Sequence, residues 1–326
     1  MIIPIYNEEE VIQAFYQRME AIVKSMESTH VELLFIDDGS CDQSSAIVRS
    51  LPGDLCDIRL VSLSRNFGKE AALSAGIDHA EGEVVVIIDV DLQDPPELIP
   101  EMIRLWREGF DVVYGQRVAR DGETWLKRTT ADLFYRLMSR LGRTSIPRDA
   151  GDFRLLSRRS VAALRQLPES NRFMKGLFSW IGYRQVALRY RRDPREAGES
   201  KFNYWKLWNF ALDGITSFTT LPLKIATYLG ALLACGAFLY GTYVIMKTLI
   251  WGDAVPGYPS LMTVILFTGG VQLLFMGVLG EYLGRMFEET KRRPLYLVDH
   301  QYFISRASQE KEPLNDMAER EASDAE

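Results

Sequence analysis

Two runs without a charged side chain, residues 225–246 and 261–280, limit what this chain can fold into. As a helix rising about 1.5 Å per residue, the first is about 33 Å long, enough to cross a hydrocarbon core of about 30 Å. Helices this apolar on every side read as membrane spans rather than as one flank of a soluble core. The turn-rich stretch GDAVPGYP at 252–259 joins them as a hairpin. Lys201, Lys206 and Lys224 precede the first run, and Arg285, Lys291, Arg292 and Arg293 follow the second. Only Lys247 stands on the connector side. The positive-inside bias therefore expects a two-span protein of the inner (plasma) membrane with both termini cytoplasmic. Phe202, Tyr204, Trp205, Trp208, Phe210 and Phe218 give 201–222 the pattern of an amphipathic segment lying in the interface.

Composition narrows the remainder. The chain has 326 residues, 47% hydrophobic and 25% charged, which excludes disorder, collagen or coiled coil as a whole-chain reading. Its net charge of −6 argues against a general nucleic-acid binder. The acidic tail, 305–326, has few large apolar groups and is expected to be disordered. Cys41, Cys56 and Cys235 are too few and scattered for a disulfide scaffold or zinc site, so a reduced, cytosol-facing chain is the expectation. Met1 runs straight into an apolar strand candidate, so no secretory leader is expected. That strand begins so abruptly that a few residues upstream of this start are expected too.

Residues 1–200 alternate strand and helix. Strand candidates are 2–6, 31–37, 58–62, 84–89 and 112–115, with helical spacing between, as at Val11, Phe15, Met19, Ile22, Val23 and Met26. Such alternation predicts an α/β domain with a doubly wound, mostly parallel sheet and ligands outside the carboxyl ends of its strands. The spans follow at 223–250 and 260–284, then a cytoplasmic segment at 285–304 in which 298–303 has the pattern of an edge strand. Polar clusters fall at five strand ends: Asn7-Glu8-Glu9, Asp37-Asp38-Gly39-Ser40, the run from Ser64 to Lys69, the run from Asp89 to Asp94, and Gly115-Gln116-Arg117. Any one is ordinary turn chemistry; five on one edge point to a site.

Neither of the two common phosphate-cradling glycine loops occurs. Asp89 and Asp91 instead form an Asp-x-Asp pair, and positions two apart in a regular strand share a face. Hard oxygen donors of this kind suit Mg2+ or Mn2+ bridging to diphosphate. A metal-bound diphosphate is a good leaving group, which predicts group transfer from an activated nucleotide. No Ser-His-Asp or Cys-His set is present, and His30, His79 and His300 read as surface or packing residues.

These motifs carry a resemblance. Ile3-Pro4-Ile5-Tyr6-Asn7-Glu8-Glu9, Asp37-Asp38-Gly39-Ser40, the Ser64–Ala72 run, the Asp89–Glu97 run, Gly151-Asp152-Phe153-Arg154, Gly198-Glu199-Ser200-Lys201 and Gly280-Glu281-Tyr282 resemble family 2 glycosyltransferases of GT-A fold. The likeness is greatest to the membrane-anchored polyprenyl-phosphate branch: bactoprenol glucosyltransferases and dolichol-phosphate mannose synthases. It implies that Pro4, Tyr6, Glu8 and Asp38 hold the nucleoside. Asp89, Asp91 and Gln93 would hold the metal and donor diphosphate. Arg117, Arg128, Arg195, Ser200 and Lys201 would meet the acceptor phosphate or the donor phosphates, with 198–201 a mobile loop. Asp91 and Asp152 are the catalytic candidates. The implied reaction is inverting transfer of a hexose, glucose from UDP-glucose, to undecaprenyl or similar polyprenyl phosphate, with GDP-mannose as the alternative donor. A processive synthase is disfavoured by the missing Gln-x-x-Arg-Trp motif and by two spans only, and a non-catalytic scaffold by the carboxylate pair. A homo-oligomer is expected, a tetramer being one option.

Overall fold

A computed structural model describes residues 1–26, 29–118, 147, 150–167, 169–170, 172–190, 221–251 and 257–305. They fall into two compact units: an α/β unit up to Tyr190 that takes in the chain again from Pro294, and a helical unit over 221–293.

The α/β unit holds β1 (Ile2–Ile5), α1 (Ile12–Ser25), β2 (Glu32–Asp37), α2 (Ser44–Arg49), β3 (Asp57–Leu63), α3 (Lys69–His79) and β4 (Val84–Ile87). It continues with α4 (Ile99–Arg107), β5 (Val112–Arg117), β6 (Ala150–Ser157), α5 (Arg158–Arg165), α6 (Met174–Trp180) and β7 (Gln185–Tyr190), and ends in β8 (Val298–Ile304). One sheet has the order β7-β5-β6-β4-β1-β2-β3-β8. β3, β2, β1 and β4 pair in parallel, as do β5 and β7, whereas β6 runs antiparallel to both its neighbours and β8 antiparallel to β3.

Both sheet faces are covered, so the inner strands are continuously apolar. On one face Ile3, Ile5, Leu33 and Phe35 join Phe15 and Met19 of α1 and Met102 of α4 in a single core. Phe15 meets Phe35 edge to face, with centroids 6.4 Å apart. On the other face α3 packs on β1 and β2, over the fully buried Ile2, Leu34 and Ile36.

The structure refines the sequence reading. The sheet is mostly parallel, as expected, with β6 and β8 running antiparallel to their neighbours. β4 stops at Ile87, two residues short of Asp89, so the strand rule placing Asp89 and Asp91 on one face does not apply. The edge strand expected at 298–303 exists, as Val298–Ile304, and pairs within its own chain, on β3.

The helical unit is a pair, α7 (Leu221–Trp251) and α8 (Tyr258–Lys291). The stretches Pro222–Val244 and Thr263–Lys291 are long and apolar enough to span a membrane, and neither is buried. Leu232, Phe238, Leu239, Leu266, Phe267 and Leu273 are all exposed. A core helix of a soluble domain would bury such side chains; here the matching solvent is lipid. The final turns of α8 are charged, with Arg285 bonded to Glu281 at 3.1 Å, and the helix closes at Arg292 in the left-handed region (φ 48°). The amphipathic segment, most of the connector and the acidic tail lie outside the described residues.

Candidate active site

β1 to β5 all run one way, so the loops that follow them leave a single edge, and β6 brings Gly151 and Asp152 to the same edge at its start. The first two loops are knitted by reciprocal bonds. Asn7 N–H donates to Ser40 Oγ (3.0 Å) and Cys41 N–H to Asn7 Oδ1 (2.9 Å). Glu8 N–H donates to Ser44 Oγ (2.8 Å), and Gln43 N–H to Glu9 Oε2 (2.9 Å). Asn7 takes φ 53°, which asparagine tolerates better than most residues.

Asp38 is 4% exposed and accepts from Phe67 N–H (2.7 Å) and Gly68 N–H (2.9 Å). Burial pushes its carboxyl up, against the pull of those two bonds. Asp38 thus fixes the loop that enters α3. Gly39 makes this close approach feasible: it has φ +72°, and a Cβ there would lie 2.5 Å from the Arg65 carbonyl carbon.

In the loop after β4, buried Val90 and Leu92 alternate with half-buried Asp89 and Asp91. Leu92 is held at φ 56°, an uncommon conformation for a bulky residue. Arg18 of α1 grips this loop through Glu97, at 2.7 and 2.9 Å. Asp91 Oδ1 accepts from Gln93 N–H at 3.2 Å. Gln93 is 8% exposed, and its Oε1 is buried with no hydrogen-bond partner among the described residues.

Lys69, the first residue of α3, reaches Asp89 Oδ2 at 2.7 Å and Asp152 Oδ2 at 2.9 Å. The β4–β6 register explains the convergence. Ile87 pairs with Arg154 in antiparallel sense, so two steps on Asp89 falls level with Asp152. Desolvation would lower the Lys69 pKa, but the two carboxylates outweigh it and hold the amine above its ordinary value. Desolvation alone would raise Asp152; Lys69, then Lys175, outweigh it and keep the carboxyl well below the usual range. Asp89 shifts upward, because its desolvation exceeds the attraction of Lys69.

Behind Asp152, buried Arg154 donates to Gly151 O (2.7 Å) and stacks 3.8 Å over the Phe178 ring of α6. Arg117, at the end of β5, lies 3.7 Å from Asp94 and bonds Tyr190 Oη at 3.4 Å, while Tyr190 itself donates to Asp94. Pro4 lies within β1 level with Ile36, and Tyr6 stands just beyond the strand, 41% exposed. Glu8 accepts at its carbonyl from Val11 and Ile12 N–H, opening α1. Arg128, Arg195, Ser200 and Lys201 lie outside the described residues. Sequence reasoning gave no role to Lys69, Asp94, Arg154 or Tyr190. Lys69 and Asp94 had a signal, since each ends one of the five clusters, and Arg154 stood in a quoted motif; Tyr190 had none, because β7 was not recognised as a strand.

Among the described residues no three carboxylate, imidazole or thiolate groups form a ready-made metal cage. The donor set nonetheless fits a divalent cation in the mode that uses one or two carboxylates and completes its shell from substrate phosphates. Asp89 already binds a cation, the Lys69 ammonium, and the orphaned Gln93 oxygen lies two residues from Asp91.

The geometry is that of an α/β domain with carboxylates gathered at its strand ends, and the family models give its class. Residues 1–165 match Glycosyl transferase family 2, and residues 221–286 match the GtrB C-terminal hairpin. The chain belongs to glycosyl transferase family 2 and is a glycosyltransferase. It is 52% identical over 298 residues to the uncharacterized glycosyltransferase sll0501 of Synechocystis sp., covering 91% of this chain and 93% of that protein. It is 48% identical to the prophage bactoprenol glucosyl transferase homolog of Escherichia coli, covering 91% and 97%. It is also 48% identical to the bactoprenol glucosyl transferase of Shigella phage SfV, covering 92% and 98%.

Proposed function

We propose that the protein transfers a hexose, glucose from UDP-glucose, to a polyprenyl phosphate of the undecaprenyl type at the cytoplasmic face of the plasma membrane. The observation that carries this reading is the convergence of Asp89 and Asp152 on Lys69 at one sheet edge, with Asp91 two residues on from Asp89, in a chain with two membrane-length helices. The names of its relatives point the same way.

The acceptor is a phosphate monoester with a second pKa near 6, already largely ionised at neutral pH, so no strong general base is needed. Its oxygen attacks the anomeric carbon as the bond to the donor diphosphate breaks, releasing UDP and inverting the centre. Mg2+ or Mn2+, when bound, supplies neutralisation of the charge that develops on the leaving diphosphate. Asp89 and Asp91 would hold that ion, and Gln93 would turn its buried oxygen to the donor. Asp152 stays anionic at working pH and orients the acceptor side. Arg117 presents a forked donor suited to phosphate. Arg128, Arg195, Ser200 and Lys201 remain proposed phosphate partners, and Pro4, Tyr6, Glu8 and Asp38 the nucleoside side, Asp38 through the loop it fixes.

Purified full-length protein in detergent, given Mg2+ and polyprenyl phosphate, should release UDP from UDP-glucose and form a lipid-linked sugar. A screen of other nucleotide sugars, GDP-mannose included, tests the donor; faster transfer from any of them overturns the choice of UDP-glucose. Asp91→Ala should abolish transfer while leaving the protein folded and membrane-bound, and full activity in that variant removes the metal-site assignment. Asp152→Asn should slow transfer, and an unchanged rate returns Asp152 to a structural role.

A further inference from the structure

We propose that Lys69 is a positioning residue that ties the donor-side carboxylate Asp89 to the acceptor-side carboxylate Asp152 through one shared ammonium. The inference rests on the transferase reading above. The contacts are short, 2.7 Å to Asp89 Oδ2 and 2.9 Å to Asp152 Oδ2, and they come from the loop just past the end of β4 and from the start of β6, the strand β4 pairs with.

Two carboxylates held this close repel, and without a cation between them one would move or take up a proton. Lys69 removes that conflict. A lysine suits the task because a single ammonium is a compact charge with three donors, able to meet two carboxylates from one atom. Its backbone is fixed from both sides. Asp38 accepts the N–H groups of Phe67 and Gly68 just before it, and Glu70 just after it accepts Met174 N–H at 2.9 Å. The Lys69 side chain is 46% exposed, whereas those of Asp89 and Asp152 are 22% and 15% exposed. The Lys69 side chain is therefore partly open to solvent along its length, while its ammonium lies between the two carboxylates. Holding the donor and acceptor groups at a set spacing is what brings a nucleophile to about 3–3.5 Å from its target. Lys69 acts on that spacing.

The test uses full-length protein in detergent. It measures steady-state transfer together with the dissociation constant for UDP in the presence of Mg2+, for wild type, Lys69→Met, Lys69→Arg, Asp152→Asn and the double variant Lys69→Met/Asp152→Asn. Lys69→Met should lower kcat by about 100-fold while donor KM and UDP affinity stay within about threefold. Lys69→Arg, which keeps the charge, should recover most of the rate. The double variant should be no slower than the slower single variant, since both changes act through one contact. An unchanged kcat in Lys69→Met, losses that multiply in the double variant, or an arginine variant no better than methionine each overturn the proposal. Loss of UDP binding in Lys69→Met also overturns it, by making Lys69 a donor contact. Failure of the wild type to release a nucleoside diphosphate from any nucleotide sugar sinks the transferase reading itself instead.

Discussion

Glu70 follows Lys69 directly yet has a different environment. Burial pushes its carboxyl from 4.5 up to about 7, against the pull of the Met174 N–H. The unfolded chain ionises this group near 4.5, while the folded protein keeps it protonated to about 7. Its contribution to stability is therefore fully present below pH 4.5 and fades as pH rises towards 7. Glu70→Gln should flatten the stability of the detergent-solubilised protein across that window, as read by urea unfolding. The same slope in both proteins would exonerate Glu70. Gly39 supplies a second residue-scale prediction. Gly39→Ala places a methyl against backbone at a positive φ and should cost about 1–3 kcal/mol and loosen the loop into α3, seen as a lower thermal midpoint. The carboxylates Asp89, Asp91 and Asp152 were legible in the sequence as motif residues. The Lys69 bridge was not, because it joins positions 20 and 83 residues apart through a strand register that no local pattern records.

Among elements, β1 to β5 and α1 announced themselves by alternating or helical apolar spacing. β6 did not. Its sequence, AGDFRLLS, carries a buried arginine whose charge is accommodated by the Phe178 ring and the Gly151 carbonyl, contacts supplied only by the folded chain. The turn from β6 into α5 depends on Asp111, 4% exposed, which accepts from Arg159 and from Ser157 Oγ at 3.1 Å. The Arg159 bond holds its carboxyl below the ordinary range. That stabilisation is present above the unfolded value of about 3.9 and is lost as pH falls through the lower folded value. Asp111→Asn should cost about 1–3 kcal/mol at neutral pH, with the deficit shrinking as pH falls below the unfolded value of about 3.9. A constant deficit across that range would mean packing, not charge, sets the cost.

For the whole molecule, the charge-free runs made the two long helices legible, and their exposed leucines and phenylalanines agree with a lipid setting. The orientation drawn from the flanking lysines and arginines is open to direct measurement. In right-side-out vesicles of a cysteine-free background, a cysteine at position 257 should react with an impermeant maleimide, and one at position 293 only after permeabilisation. The reverse pattern would invert the topology. The chain also leaves its α/β unit, makes the hairpin and returns to add β8 beside β3, where Ser64 N–H meets Leu297 O at 2.9 Å and Tyr296 donates to Asp78 at 2.9 Å. During synthesis the ribosome must therefore deliver both spans before the strand that covers β3 exists. Until then β3 keeps a bare edge able to pair with other chains, so the sheet can be completed only after both long helices have been made.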